Sequence, residues 1–290
     1  MVHPSGIEIA GMALAGLCAG AINAVVGSGT LITFPVLLAI GYPPVVANVS
    51  NTVGLVPGSA MGAYGYRRQL EGQGPRIARL AGGSVVGSVV GAVLLLVLPP
   101  GAFRAVVPVL VGLGCTLVLV GPRLNRLLAR RRGTVGGPGT VGGPGAVGPV
   151  DAASDPGRAA PAGGTRARGR RRHPGGVTPG LLAGVAAVAV YGGYFGAAQG
   201  VLLIGLMGVF LDETLQRVNA AKNVLAGLTN LVAAVIFVGA GDVAWLPAVV
   251  IAAGSAAGGY AGSRLGQRLH PVLLRAVIVV IGAVTIVRLL

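Results

Sequence analysis

The chain has 290 residues, of which 53% are hydrophobic and only 10% are charged. Soluble globular proteins carry about 25% charged residues, so a single large water-soluble domain is nearly excluded. The net charge of +15 resembles that of a nucleic-acid-binding protein, but 11 of the 22 basic residues lie within residues 123–172. The basic character therefore belongs largely to one segment, and nucleic acid is not an expected partner.

Eight apolar segments follow one another along the chain, and most are long enough to cross a hydrocarbon core of ~30 Å as a helix. They occupy residues 6–40, 44–66, 77–98, 103–121, 178–211, 214–240, 244–262 and 272–289. They lack the alternation of membrane β-strands, and backbone groups in lipid must pair within helices. We therefore predict an all-α polytopic protein of the bacterial inner membrane, without a cleavable signal peptide.

A segment of different composition, residues 123–177, separates the fourth and fifth apolar segments. It is rich in Gly and Pro and then in Arg, and such a composition cannot bury a core. We predict a disordered cytoplasmic linker between a first membrane repeat (1–122) and a second (178–290). A solvated tether is the favoured reading, and the alternative is contact with anionic lipid headgroups or nucleic acid.

The two halves repeat at a constant offset of 171 residues. This offset aligns Asn48 with Asn219 and Gly29 with Gly200. It also aligns a glycine stripe, Gly83, Gly87 and Gly91, with Gly254, Gly258 and Gly262. The match predicts a duplicated four-segment unit, in which the glycine stripes serve close helix packing.

The first segment of each half is too long for one crossing, because residues 6–40 as a straight helix would measure ~52 Å. Both segments are interrupted, at Gly27-Ser28-Gly29 and at Gly196-Ala197-Ala198-Gln199-Gly200. If each is re-entrant, every half crosses three times and the halves are inverted. Complementary arginine positions favour that arrangement, with these arginines in the cytoplasm: Arg67, Arg68, Arg76 and Arg79 in the first half, Arg264 and Arg268 in the second.

The interruptions predict a binding site for a small anion. A helix that restarts after a break presents unpaired N–H groups and the positive end of its dipole. The candidate residues are Gly27, Ser28, Gly29 and Thr30 in the first half and Gln199 and Gly200 in the second. Paired breaks in two repeats are typical of transporter sites. The alternative is close helix packing by small residues.

Polar residues form a stripe on the helix that follows each break. One face carries Asn219, Asn223 and Asn230, and the same offset gives Asn48, Thr52 and Ser59, with Asn51 matching Lys222. Such side chains are either ligands of a substrate or hydrogen-bonding contacts between helices. Lys222, the only lysine in the chain, either anchors an anionic substrate or extends to the membrane interface.

The remaining ionisable residues do not suggest catalysis. Asp212 and Glu213 stand at a helix start, where acidic side chains interact favourably with the positive end of the helix dipole. Cys18 and Cys115 are predicted to be buried free thiols, and the histidines lie in tails or loops. We expect no enzyme activity, no metal site and no cofactor.

Three stretches resemble the TauE/SafE sulfite exporter family, also called 4-toluene sulfonate uptake permeases. They are AGAINAVVGSGTLITFPVLLAIGYPPVVANVSN (19–51), RVNAAKNVLAGLTNLVAAVIFVGAGDVAW (217–245) and LGQRLHPVLLRAVIVVIG (265–282). The resemblance implies a multi-pass permease for small anions, often sulfur-containing ones such as sulfite or sulfonates. The breaks here, Gly-Ser-Gly-Thr and Ala197-Ala198-Gln199, contain fewer glycines than is common in the family.

The function expected from the sequence is a secondary transporter that moves one repeat against the other. A membrane interaction protein whose basic linker recruits partners or anionic lipid is the alternative from another class. A channel is the third. No central carboxylate suggests proton coupling, since Glu8 stands near a segment end.

Overall fold

The computed structural model describes residues 4–133, 176–240 and 242–265, with side chains except at 100, 121–133 and 265. All regular structure in these ranges is helical. The α-helices are α1 (Gly6–Val25), α2 (Thr30–Ile40), α3 (Pro44–Gly65), α4 (Gly74–Val97), α5 (Pro100–Gly133), α6 (Pro179–Tyr194), α7 (Gln199–Phe210), α8 (Leu215–Ala240) and α9 (Trp245–Leu265). A short 3₁₀ helix, Arg67–Leu70, connects α3 to α4.

Local sequence signals set the helix ends. Ser5 and Glu8 form a reciprocal capping box at the start of α1, and Gly41 ends α2 in the left-handed conformation. Among the described residues, four helical stretches are long and apolar enough to cross a membrane: Gly6–Val25, Gly74–Val97, Gly101–Val120 and Leu215–Ala240. The predicted all-α membrane protein is confirmed at this level.

Two sequence-based expectations need correction. Helix α5 continues to Gly133, so the segment predicted as a linker begins with helix; residues 134–175 lie outside the described residues. Cys18 is exposed on α1 rather than buried, whereas Cys115 is buried as expected. The apolar segment 272–289 also lies outside the described residues.

Both predicted breaks are present. The chain leaves α1 through Gly27 at φ 86° and leaves α6 through Gly196 at φ 76°, a backbone conformation that favours glycine. These two glycines stand 169 residues apart, whereas the starts of α3 and α8 stand 171 apart. Gly29 therefore precedes α2 while Gly200 lies within α7, so the constant-offset pairing of these two residues is wrong. Two extra residues after the second break restore the offset.

The glycine stripes join each half to the other, as close packing predicts. A Cβ on Gly87 of α4 would collide with the carbonyl of Ala186 on α6. A Cβ on Gly258 of α9 would collide with the carbonyl of Leu17 on α1. The glycines one turn to either side make the same kind of contact. Gly83 and Gly91 of α4 contact α6, and Gly254 and Gly262 of α9 contact α1. The first helix of each half thus packs on a helix of the other half, α1 on α9 and α6 on α4.

The order of contacts gives the helix directions. Along α4 and α6, and along α9 and α1, residue numbers rise together, so each pair is parallel. Helices α3 and α9 are parallel too, because Gly54 meets Ile251 and Gly58 meets Ser255. Helices α3 and α8 are antiparallel: Ser59 meets Asn230, and Gly62 meets Asn223.

Helix α4 runs parallel to α8. Gln73, just before α4, donates to the carbonyl of Arg217 in the first turn of α8, and Ser88 donates to the carbonyl of Thr229, about three turns further along α8. Helices α1, α3 and α9 therefore point one way, and α4, α6 and α8 point the opposite way.

Candidate functional site

The two breaks cross each other at the centre of the described helices. The amide of Gly200 donates to the carbonyl of Gly27 over 3.0 Å. A Cβ on either glycine would collide with the backbone of the other. Glycine is therefore required at both positions, and it lets two interrupted segments approach within hydrogen-bonding distance.

Three side chains of α8 bind the end of α1, where the last carbonyls of a helix lack intrahelical partners. The Lys222 Nζ donates to the carbonyls of Asn23 over 2.8 Å and Ala24 over 3.2 Å. Asn219 and Asn223 donate to the same Ala24 carbonyl over 3.2 and 3.1 Å. The negative end of the α1 dipole is thus matched by a cation and two amide donors from the other half.

Lys222 is fully buried, with 0% of its surface exposed. The alternative that it extends to the membrane interface is therefore wrong. Its stem reaches the crossing, because a Cβ on Gly200 would lie 2.8 Å from its Cδ. Among the described carboxylates, the recorded ion pairs involve only Glu213, so none neutralises Lys222.

Two buried donors flank the crossing. The Ser28 hydroxyl and the Gln199 side-chain nitrogen are buried and have no hydrogen-bond partner among the described residues. Each is adjacent in sequence to one of the two crossing glycines, and each stands at or just before the start of a half-helix. Buried polar groups are nearly always paired, and these two donors are left without an acceptor among the described residues.

The start of α2 is held by α3. Asn51 donates to the Thr30 hydroxyl over 3.4 Å and accepts from the Thr33 hydroxyl. Asn51, predicted as a ligand, therefore has two side-chain partners within the protein. It fixes the half-helix that begins at the first break.

The second break has a different environment. Asn48 of α3 donates to the carbonyl of Tyr194 over 2.9 Å, at the end of α6. The ring of Phe195 lies edge-on to Phe34, with centroids 5.2 Å apart, and near Phe103 at 6.1 Å. Phe103 also stacks edge-on against Tyr194 at 5.6 Å. We call Phe34, Phe103, Tyr194 and Phe195 the aromatic cluster.

The remaining predicted residues lie close by but bond elsewhere. The Thr52 hydroxyl donates to the Asn48 carbonyl within its own helix. The Ser59 hydroxyl accepts hydrogen bonds from the side-chain amides of Asn230 over 3.5 Å and of Asn23 over 3.2 Å. Sequence analysis missed Asn23 and Thr33. Their signal is position, because Asn23 precedes the first break by one turn and Thr33 follows it by one.

At one end of the molecule an ion network joins the two halves. Glu213 pairs with Arg76 over 2.8 Å and with Arg217 over 2.7 Å. Burial alone would raise the pKa of Glu213, but the hydrogen bonds from Arg76 and Arg217 outweigh it and lower that pKa. Glu213 was expected to interact favourably with the dipole of the helix that follows it, and the structure shows that it bridges α4 and α8. The residue that caps the start of α8 is Thr214, whose hydroxyl accepts from the backbone amide of Arg217.

Comparison with known proteins gives matches along nearly the whole chain. Residues 12–289 match the family model "Sulfite exporter TauE/SafE". The chain is similar to the "Probable membrane transporter protein YfcA" of Escherichia coli K12, O6:H1 and O157:H7, at 26% identity over 94% of this chain and 86% of each relative. No solved structure gives a significant match. With nearly its whole length covered by the family model, this multi-pass membrane protein belongs to the TauE/SafE sulfite exporter family.

Proposed function

We propose that the chain transports a small anion, a sulfur oxyanion such as sulfite or a sulfonate, through a site at the crossing of the two breaks. The observation that carries this proposal is Lys222, a fully buried cation without a described carboxylate partner. Burying an ammonium without a counter-charge costs several kcal/mol. The two backbone carbonyls offset part of this cost, and a bound anion would offset the rest.

The surrounding donors fit the oxygen atoms of such an anion. Ser28 and Gln199 supply a hydroxyl and an amide that lack partners, beside the Gly27–Gly200 crossing. The α2 and α7 starts add backbone N–H groups with the positive dipole end. Lys222 contributes charge, while Asn219 and Asn223 hold the end of α1 in place.

The packing between the halves supports two inverted repeats that expose a central site alternately to the two sides of the membrane. The end of α1 is bound by α8 and the end of α6 by α3, so each half completes the broken segment of the other. Helices α1 and α6 point in opposite directions, as do α3 and α8. Rocking one repeat against the other would then move the central site between the two sides of the membrane.

The arginines support one orientation of this arrangement. Arg67, Arg68, Arg76 and Arg79 surround the connection from α3 to α4, beside the ion network. By the excess of positive charge on cytoplasmic loops, this end faces the cytoplasm of the bacterial inner membrane. The end formed by the start of α3 and the close of α8 faces outward.

The test is flux in vesicles containing the purified protein, with labelled sulfite, methanesulfonate and sulfate on one side. Lys222→Gln should lower the rate by about tenfold or more, because hydrogen-bonded charges contribute about 1.5–3 kcal/mol each. Arg79→Gln is the matched control, since it also removes one positive charge, from an exposed position. It should transport like the parent.

Protein recovery and thermal melting in detergent must accompany the flux. Equal flux in Lys222→Gln and the parent would refute the role of Lys222, and absence of flux for every anion would refute transport. Saturation of the initial rate with substrate separates a carrier from a channel.

A further inference from the structure

A cavity of about 310 Å³ opens at the end of the molecule opposite the ion network. It is lined by the turn at Pro43 and Pro44, the ends of α4 and α8, and the start of α5. Its two charged lining residues are Arg104 and Asp242. Within the described ranges, neither takes part in a recorded ion pair, so the Arg104 guanidinium is available to a solute in the cavity.

The cavity approaches the second break closely. Val49 lines it, and the next residue back, Asn48, bonds the carbonyl of Tyr194 at the end of α6. Leu95 lines it too, and both Val49 and Leu95 pack in one core cluster with Phe34, Phe103 and Phe195.

The aromatic cluster lies in the core cluster that also holds the cavity-lining residues Val49 and Leu95. Phe34, Phe103 and Phe195 are at most 2% exposed, and the ring of Phe195 meets each of the other two edge to face. Phe103 is followed directly by Arg104, so one turn of α5 presents a cation to the cavity and a ring to the aromatic cluster. A hydrated anion cannot pass a closed layer of apolar rings without losing its water.

Building on the proposed anion transport, we propose that this cavity is the outer mouth of the anion route, where Arg104 attracts the anion and the ring of Phe103 closes the path to the crossing. Phe103 is the moving part of the seal, because it contacts both Tyr194 and Phe195 but belongs to neither broken segment. Arg104 acts before the seal and the residues of the crossing act after it.

Thiol labelling tests the proposal independently of transport. The parent is a Cys18→Ala, Cys115→Ala chain, and the reporter is Ser28→Cys, which replaces the buried hydroxyl next to the crossing. Intact cells receive one of two membrane-impermeant methanethiosulfonates, one carrying a sulfonate and one a trimethylammonium group. Phe103→Ala should raise the labelling rate of the reporter by the sulfonate reagent about tenfold, since it opens the path from outside.

Phe210→Ala is the matched control, because this ring is 45% exposed at the end of α7, outside the aromatic cluster. It should leave the rate unchanged. Arg104→Gln in the Phe103→Ala background should slow labelling by the sulfonate reagent and not by the cationic one. If Phe103→Ala yields too little folded protein, Phe103→Leu takes its place, and Val46→Cys reports entry into the cavity itself.

Equal labelling in the Phe103 and Phe210 variants would overturn the seal. Equal effects of Arg104→Gln on both reagents would overturn the proposal that Arg104 attracts anions. Labelling as expected in a protein that carries no anion in vesicles would leave the route intact and refute transport, so the two proposals fail separately.

Discussion

The two breaks begin with the same glycine turn but differ in chemistry and at the residue before the half-helix, where Gly29 has φ −59° and Ala198 has φ 59°. At each, a glycine with positive φ ends one helix and a second helix starts within four residues. The end of α1 receives a lysine and two asparagines from α8, whereas the end of α6 receives one asparagine from α3. Around the second break stand aromatic rings, where the first break has Val25 and Val26.

This difference suggests a division of labour between the halves. The duplicated backbone supplies two half-helix starts, and substitution of a few side chains then specialises each. The first break carries the charge that suits an anion, and the second carries apolar rings that exclude water. Three comparisons between residues of the two breaks can test this division.

The largest effect is expected at the crossing glycine. Gly27→Ala combines a left-handed conformation, which costs about 1–2 kcal/mol, with a Cβ that collides with Gly200 backbone atoms. Overpacking adds about 1–3 kcal/mol, so the free energy of unfolding should fall by roughly 3 kcal/mol or more. Gly196→Ala has a similar φ, but the closest atom to its Cβ would be the Gly192 carbonyl oxygen at 3.0 Å, so this variant should lose about 1–2 kcal/mol.

Size-exclusion profiles and thermal melting in mild detergent measure this pair. Gly27→Ala should give little monodisperse protein, while Gly196→Ala should remain monodisperse with a lower melting temperature. Similar losses in both variants would show that the Gly27–Gly200 contact does not limit folding.

An intermediate effect is expected where the helix ends are bound. Asn48→Leu leaves the Tyr194 carbonyl without a side-chain donor, and a buried unsatisfied carbonyl costs about 1–3 kcal/mol. Asn223→Leu should cost less, because the Ala24 carbonyl still accepts from Asn219 and Lys222. Thermal melting of the two variants side by side measures the difference. A greater loss in Asn223→Leu would contradict the redundancy of donors at α1.

Sequence patterns were sufficient for the features set by local chemistry. Glycine spacing located both breaks, hydropathy located the helices, and the small-residue stripes indicated close packing, which the α4–α6 and α9–α1 contacts confirm. The polar stripe around Lys222 was also recognised, because an isolated lysine within an apolar segment is costly and stands out.

Tertiary partners could not be read from the chain. Nothing local in Lys222 indicates that its ammonium binds the carbonyls of Asn23 and Ala24, since that contact depends on how α1 meets α8. The position of Phe103 against Tyr194 likewise depends on how α5 meets the end of α6. The two-residue insertion after the second break was hidden because glycines are so abundant that Gly29 and Gly200 matched by chance.

The smallest expected change concerns one hydroxyl, and its sign is the informative part. Ser28 and Ala197 occupy the same place relative to the positive-φ glycine of their breaks, so Ser28→Ala makes the first break resemble the second. Without anion, removing a buried hydroxyl that lacks a partner should raise the free energy of unfolding by about 1 kcal/mol. With sulfite present, the melting temperature of the parent should rise and that of Ser28→Ala should rise less, because one donor to the anion is lost.

Ala197→Ser provides the matched reverse change, and it should lower stability without adding to the gain in melting temperature from sulfite. Melting curves of the three proteins with and without sulfite measure both quantities. An equal gain in the parent and Ser28→Ala would remove Ser28 from the anion site, and the asymmetry between the breaks would then rest on Lys222 alone.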